Sequence, residues 1–168
     1  MMLNHDNKKA FLEIYEAHAD AIFRHCYFKV SDRELAQDMT QQAFMQLWTY
    51  MQSGKDIEKP KSLLYRIAGN LVIDWYRKKK SESLEHLAES GFDPSDTRGE
   101  DIEQTAEFKN VLKHLSQISP EEQNLILWRF VEDLSPKEIA EILEERENTV
   151  SVRIHRAIER LKVIMKTT

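Results

Sequence analysis

Apolar residues in the first eighty positions recur every three or four residues, which is the spacing of an amphipathic α-helix. Three such stretches are separated by short polar breaks, and they predict helices over about residues 7–30, 33–51 and 62–80. Three amphipathic helices can bury their apolar faces against one another. The pattern therefore predicts one small all-α domain, which spans residues 7–80.

The last sixty residues contain shorter apolar stretches that are introduced by helix-start signals. Ser119 and Ser135 each precede a proline and stand three residues before a glutamate, which is the pattern of a capping box. The second box opens a short helix, followed by a tight polar break and a longer basic helix over about residues 148–165. This order is typical of a helix-turn-helix, whose second helix enters the DNA major groove. We therefore expect a second all-α domain over residues 105–168.

The segment between the two domains has a different composition. Residues 81–104 contain two glycines, a proline and few apolar side chains, so we expect a flexible acidic linker there. Nine acidic residues and a single arginine lie between Ser81 and Glu107, and they account for the negative total charge of −5. Residues 66–80 and 146–166 are instead basic, and local charge sets the attraction for phosphates. The total charge therefore does not exclude a nucleic-acid partner.

The sequence lacks the patterns of the common catalytic and metal sites. It contains no glycine-rich phosphate loop and no HExxH motif, and its six histidines are scattered. Cys26 is the single cysteine, so it can form no internal disulfide and no cysteine-cluster metal site. No apolar run reaches the roughly 18 residues needed to span a bilayer, and the N-terminus lacks the apolar core of a signal peptide. We expect a cytoplasmic protein that is not an enzyme and holds no metal or cofactor.

Two helices carry side chains suited to nucleic acids. On the last helix, arginines that can read guanine edges or hold phosphates lie opposite the apolar stripe, in a set formed by Thr149, Ser151, Arg153, Arg156 and Arg160. The third helix combines cations with rings on which unpaired bases can stack, in a set formed by Asn70, Asp74, Trp75, Tyr76, Arg77 and Lys78–Lys80. The alternatives are a solvated basic face on the last helix and packed aromatic side chains on the third.

The second helix has a polar stripe that admits two interpretations. The stripe consists of Glu34, Asp38, Gln41, Gln42 and Gln46, with Met45 among them. A stripe of this kind is usually a solvated face. An exposed methionine among glutamines is also typical of a surface that docks a helix of another protein. The residues themselves leave both interpretations open.

These motifs together resemble one protein family over nearly the whole chain, about residues 8–80 and 105–165. LAQDMTQQAFMQLW (Leu35–Trp48) is similar to region 2.2 of bacterial extracytoplasmic-function sigma factors, the smallest members of the sigma-70 family. LLYRIAGNLVIDWYRKKK (Leu63–Lys80) resembles regions 2.3 and 2.4. ISPEEQNLILWRF, EIAEIL and TVSVRIHRA resemble segments of region 4. Three motifs in this order are far more specific than any one of them.

The resemblance implies a dissociable subunit that directs the RNA polymerase core to promoter DNA. In the family, region 2.2 docks on the polymerase β′ coiled coil, which implies this role for Asp38, Gln41, Gln42 and Met45. Regions 2.3 and 2.4 capture the melted −10 element, which implies contacts by Asn70, Asp74, Trp75, Tyr76 and Arg77. Region 4 docks on the β flap and reads the −35 duplex, which implies contacts by Arg146, Asn148, Thr149, Ser151, Arg153 and Arg156. Family members often also have an anti-sigma partner.

The chain departs most from the family at the helix-turn-helix turn. The family commonly has glycine where this chain has Glu144, and an inward-packing residue where it has Glu145. A glutamate in place of glycine restricts the backbone of a tight turn. We therefore expect a wider turn or a longer preceding helix.

Two other functions fit parts of the same pattern. A self-standing helix-turn-helix regulator would bind its operator without polymerase, usually as a symmetric dimer. A sigma-like decoy would bind polymerase without supporting initiation. Both are retained as alternatives to the sigma factor.

Overall fold

The computed structural model describes residues 3–55, 57–85 and 106–167. Within these ranges the chain is helical and has no strand, which confirms the expected all-α fold. The described helices, in chain order, are α1 (Leu3–Val30), α2 (Arg33–Gln52), α3 (Pro60–Glu85), α4 (Ala106–Leu115), α5 (Pro120–Ile126) with a π-helical turn (Leu127–Val131), α6 (Pro136–Leu143) and α7 (Glu147–Lys166). Of the predicted linker, only its first residues are described, as the end of α3. The rest of it lies outside the described residues.

The N-terminal domain consists of α1, α2 and α3. Its core contains apolar side chains from all three helices, among them Ile22, Phe44, Leu47, Leu64 and Val72. Between α1 and α2 the chain turns at Ser31, whose φ is 54°. Asp32 then caps α2 by accepting a hydrogen bond from the Leu35 amide at 3.1 Å. The three helices therefore lie within a few residues of the bounds that the hydrophobic spacing predicts.

Serine caps start the short helices of the C-terminal domain. Ser135 and Glu138 form a complete capping box, with amide-to-side-chain hydrogen bonds of 3.1 and 2.8 Å. Ser119 caps α5 by accepting a hydrogen bond from the Glu122 amide at 3.2 Å. The Glu122 carboxylate, however, pairs with Arg160 of α7. Among the described contacts, this first box is thus only half formed, because its glutamate ties α5 to α7.

The two domains share one hydrophobic core. Apolar side chains of the C-terminal domain that join the N-terminal cluster include Leu125, Trp128, Leu134, Ile139 and Ile142. Trp128 is 2% exposed, and its indole lies over Gly69 of α3. A Cβ at residue 69 would stand 2.9 Å from the Trp128 ring, closer than carbon atoms pack, so this contact requires glycine. The domains therefore pack directly against each other, which the sequence left open.

Several polar groups inside this domain junction are joined by hydrogen bonds, whereas His25 Nδ1 and Trp128 Nε1 are buried there without a partner among the described residues. His25 Nε2 lies 3.1 Å from Asn124 Oδ1, and the Asn124 amide nitrogen donates to the Gly69 carbonyl at 3.4 Å. Lys29 Nζ donates to the Pro120 carbonyl at 2.9 Å. Removing one partner of such a buried pair costs about 1–3 kcal/mol. Specific pairs, and not apolar contact alone, therefore set how the domains meet.

Candidate nucleic-acid interface

The helix-turn-helix turn is tight despite its two glutamates. The helix α6 ends at Leu143, Glu144 follows with φ 55° and ψ 40°, and α7 begins at Glu147. Residues other than glycine rarely adopt this left-handed conformation, which costs about 1–2 kcal/mol. The expected widening of the turn or lengthening of the preceding helix is wrong, because Glu144 takes the backbone conformation that a glycine would adopt.

The residues predicted to read duplex DNA lie at the start of α7. They are Arg146, Asn148, Thr149, Ser151, Arg153 and Arg156, and all are exposed except the half-buried Arg153. The opposite side of the helix is anchored in the domain by Val150, Ile154 and Ala157, which are buried. A helix held by its apolar side presents its polar side outward. This is the geometry that a recognition helix needs to enter a major groove.

The cations of this surface differ in what they contact. The Arg153 guanidinium is paired with the Glu145 carboxylate. Its Nη1 lies 2.7 and 2.8 Å from the two carboxylate oxygens. Within the described part of the chain, Arg146 and Arg156 have no carboxylate partner. Arg146 and Arg156 can thus meet phosphates or base edges directly, whereas Arg153 must first exchange Glu145 for the DNA.

A second polar surface lies on α3. Asn70 and Asp74 are exposed and stand one helical turn apart. The half-buried Trp75 ring meets the Tyr76 ring edge to face, with centroids 5.0 Å apart. Lys79 Nζ lies 4.7 Å from the Trp75 ring centroid, and burial lowers the pKa of this lysine. A partly open ring beside a cation and two polar side chains suits an unpaired base.

Tyr76 and Arg77 are held by other parts of the protein. The Tyr76 hydroxyl donates to the Lys29 carbonyl at the end of α1, and burial raises the pKa of Tyr76 to about 12. The Arg77 guanidinium lies 3.0 Å from the Glu121 carboxylate of α5. Tyr76 therefore braces α3 against α1, and Arg77 faces the C-terminal domain in this arrangement.

The polar stripe of α2 borders an apolar groove that the hydrophobic spacing of the sequence did not predict. Asp38, Gln41, Gln42 and Met45 are all exposed, and Met45 is exposed to 69%. The groove has a volume of about 480 Å³, and it is lined by Lys8, Phe11, Leu12, Tyr15, Gln41, Phe44, Met45 and Trp48. Its signal in the sequence is the pair Leu12 and Tyr15, which widens the apolar stripe of α1 beyond the part that faces the core.

Residues 3–55, 57–85 and 106–167 contain neither a candidate metal site nor a membrane-spanning helix. No group of three or more histidine, cysteine, aspartate or glutamate side chains is placed there to hold a metal ion. Among the same residues, no helix has both the length and the apolar character to cross a membrane.

Cys26 is buried, and burial raises the pKa of its thiol to about 12. This pKa suppresses the thiolate, the form that reacts.

Both helical domains match family models of known proteins. The sigma-70 region 2 model matches residues 14–82, and the sigma-70 region 4 model matches residues 108–161. The ECF RNA polymerase sigma factor SigW of Bacillus subtilis is 29% identical over 166 residues, covering 93% of this chain and 89% of SigW. The ECF RNA polymerase sigma factor SigX of the same bacterium is 22% identical over 165 residues, covering 95% of this chain and 85% of SigX.

A solved structure has a similar fold. The sigma factor RpoE from Bartonella quintana, crystallised with the anti-sigma factor NepR, matches with a TM-score of 0.65. The match covers 94% of this chain and 98% of RpoE, at 22% sequence identity. At that identity the likeness concerns the fold alone, and it extends over both helical domains.

Proposed function

Because this chain belongs to the extracytoplasmic-function group of the sigma-70 family, we propose that its two domains read the two elements of a bacterial promoter separately. The chain is a sigma factor that directs promoter-specific transcription initiation. We assign residues 7–80 to region 2 and residues 105–168 to region 4, with an acidic linker over residues 81–104. The family matches to residues 14–82 and 108–161 support this division.

Region 4 reads the −35 element as a duplex. The exposed side of α7 enters the major groove, where Arg146 and Arg156 are free to contact phosphates or guanine edges. Asn148, Thr149 and Ser151 add short polar side chains near the helix start. The observation that supports this reading most strongly is the single exposed polar side of α7, held out by a buried apolar side.

Region 2 captures the melted −10 element. An unpaired base stacks on the open side of Trp75, while Asn70 and Asp74 offer hydrogen bonds and Arg77 offers charge to the strand. Stacking of a base on an aromatic side chain contributes about 1–3 kcal/mol. Trapping unpaired bases in this way lowers the free-energy cost of strand opening.

The protein partners follow from exposed surfaces and from the relatives. We assign the α2 surface, with Met45 and the neighbouring groove, to the β′ coiled coil of the RNA polymerase core. We assign binding of the polymerase β flap to the helices that precede α7. Phe130, in the π-helical turn that follows α5, is 58% exposed there. The RpoE relative was crystallised with an anti-sigma factor, which supports a partner of that class for this chain too.

The chemical step belongs to the polymerase. Sigma factors are DNA-binding initiation factors, so we assign no catalytic residue and no cofactor to this chain. Because its polymerase and promoter partners are in the bacterial cytoplasm, we place the protein there. A self-standing regulator and a polymerase decoy are not favoured, because the chain carries matches to both region 2 and region 4.

Run-off transcription with purified core polymerase and a candidate promoter tests this function. Arg156→Ala is expected to lower −35-dependent transcription about tenfold, because one base or phosphate contact contributes about 1–3 kcal/mol. Lys166→Ala removes a cation at the far end of the same helix and is the matched control. Core binding should be equal in both variants. A chain that binds no core and starts no transcript contradicts the sigma function, and loss of core binding in Arg156→Ala contradicts the DNA role of that residue.

A further inference from the structure

The ion pairs that the described residues form across the domain junction all have the same polarity. They are Arg24–Glu132, Lys59–Glu141, Lys61–Glu138, Arg66–Glu144 and Arg77–Glu121. In every one, the N-terminal domain supplies the cation and the C-terminal domain supplies a glutamate. The paired groups of the junction thus form a basic side on the N-terminal domain and an acidic side on the C-terminal domain. Glu58 and Lys137 line the same cleft with the opposite charges, but neither takes part in these five pairs.

The acidic face is built along α6. Glu138, Glu141 and Glu144 are spaced three residues apart, so they stand on one side of this helix and its end. Glu144 lies 3.1 Å from Arg66, whose guanidinium also donates to the Ile142 carbonyl at 2.6 Å. The glutamate that departs from the usual glycine of the turn thus contacts the other domain.

The cations that these glutamates occupy lie beside the proposed −10 surface. Arg66 and Arg77 flank the exposed residues Asn70 and Asp74 on the same helix. Arg77 is itself one of the proposed DNA contacts, and it is paired with Glu121 in the closed arrangement. A strand that runs along α3 must therefore replace a carboxylate with a phosphate.

We propose that the acidic face of the C-terminal domain stands in for nucleic-acid phosphates and keeps the free chain closed. A polyanionic single strand opens the chain by competing for the cations of the N-terminal domain. This inference rests on the proposed −10 role of α3. The side chains of all five cations are at least 30% exposed, and so are those of four of the five glutamates; the exception is Glu132, which is 3% exposed. Such exposed pairs are individually weak and screened by salt, so added anions can displace them.

The apolar part of the junction allows the domains to be separated without changing any ion pair. Trp128 packs on Gly69, where a methyl group would collide with the indole. Gly69→Ala therefore separates the domains by steric force without changing any charge. Alanine also favours the helical backbone of α3 more than glycine does, so the N-terminal domain itself should stay folded.

Small-angle neutron scattering of the full chain, in the water–heavy-water mixture that matches the scattering of DNA, measures closure of the protein directly. The free chain at low salt should be compact, and a mixed-sequence single-stranded DNA of about 30 nucleotides should increase the radius of gyration of the protein. Arg66→Glu should open the chain without DNA, and the swap Arg66→Glu with Glu144→Arg should close it again. Lys162→Glu makes the same charge change in the Lys162–Glu159 pair within α7, and it should leave the chain closed.

Affinity for the same single strand provides the second measurement. Gly69→Ala should open the chain and bind the strand about threefold or more tightly, since a mostly closed chain binds only through its open fraction. The proposal is overturned if the free chain is already extended, if Arg66→Glu and Lys162→Glu behave alike, or if Gly69→Ala opens the chain without a gain in affinity. Run-off transcription by the unaltered chain is scored separately, so a failure of the sigma function is distinguished from a failure of the closure.

Discussion

At the scale of single residues, His25 shows how the junction constrains a titratable group. Its ring stacks on Trp128 with centroids 5.5 Å apart, and its Nε2 faces Asn124. Burial, together with the nearby Lys29 charge, lowers the pKa of His25 to about 3, and the Asn124 hydrogen bond only partly opposes this shift. The folded chain therefore holds His25 neutral, whereas an unfolded chain protonates it below its ordinary pKa of 6.5.

The pH dependence of stability should reveal this group. Between the two pKa values the unfolded state binds more protons, so stability is fully present above pH 6.5 and is lost as the pH falls toward 3. We expect the free energy of unfolding of the native chain, relative to that of His25→Gln, to fall by about 1 kcal/mol per pH unit over this range. Urea unfolding at several pH values measures the difference. Parallel curves for the two proteins would mean that His25 is accessible to protons in the folded chain.

At the scale of elements, the turn between α6 and α7 has a strained backbone and also forms ion pairs. Glu144 holds a left-handed conformation that favours glycine, while its carboxylate reaches Arg66 and the neighbouring Glu145 reaches Arg153. The exposed ion pair is worth at most about 1 kcal/mol, which is similar to the cost of the backbone conformation. The two effects nearly balance, so the stability of the domain alone does not explain why a glutamate stands there.

Two substitutions at this position separate strain from contact. Glu144→Gly and Glu144→Ala both remove the Arg66 pair, but only glycine relieves the backbone conformation. We expect the glycine variant to be more stable than the alanine variant by about 1 kcal/mol. Thermal unfolding of the full chain measures this difference. An alanine variant as stable as the glycine variant would show that residue 144 does not hold a left-handed backbone in solution.

At the scale of the whole molecule, the shared core couples two domains that could have been independent. The buried cluster contains Trp128 and Leu125 from one domain and Val72 and Ala68 from the other. Elements that share a core tend to unfold together, since exposing one partner removes the packing of the other. The bidentate pair between Arg24 and Glu132, with distances of 2.9 and 2.8 Å, adds a polar contact to the same junction.

Calorimetry tests this coupling. The native chain at low salt should unfold in a single transition, because neither domain keeps its full core without the other. Gly69→Ala, which places a methyl group against Trp128, should split the transition into two. Two transitions in the native chain, unchanged by Gly69→Ala, would show that the domains are uncoupled in solution.

The sequence predicts those parts of the protein that depend on near neighbours in the chain. Hydrophobic spacing places the helices, and the Ser135–Glu138 box forms as expected, because both features involve residues within about one helical turn. The exposed positions of Arg156 and Asn70 follow for the same reason, since the apolar stripe of a helix defines its polar side. The family resemblance, carried by motifs of this local kind, is confirmed by matches to both sigma regions.

The tertiary structure alone decides how the two domains meet. His25 and Asn124 are 99 positions apart, and Arg24 and Glu132 are 108 apart, so no local spacing links them. The conformation of Glu144 was likewise beyond the sequence pattern, because it depends on whether the turn closes tightly. Hydrophobic periodicity states which side of a helix is buried but not against what. For this sigma factor, that choice of partner surface is what joins two helical domains into one closed molecule.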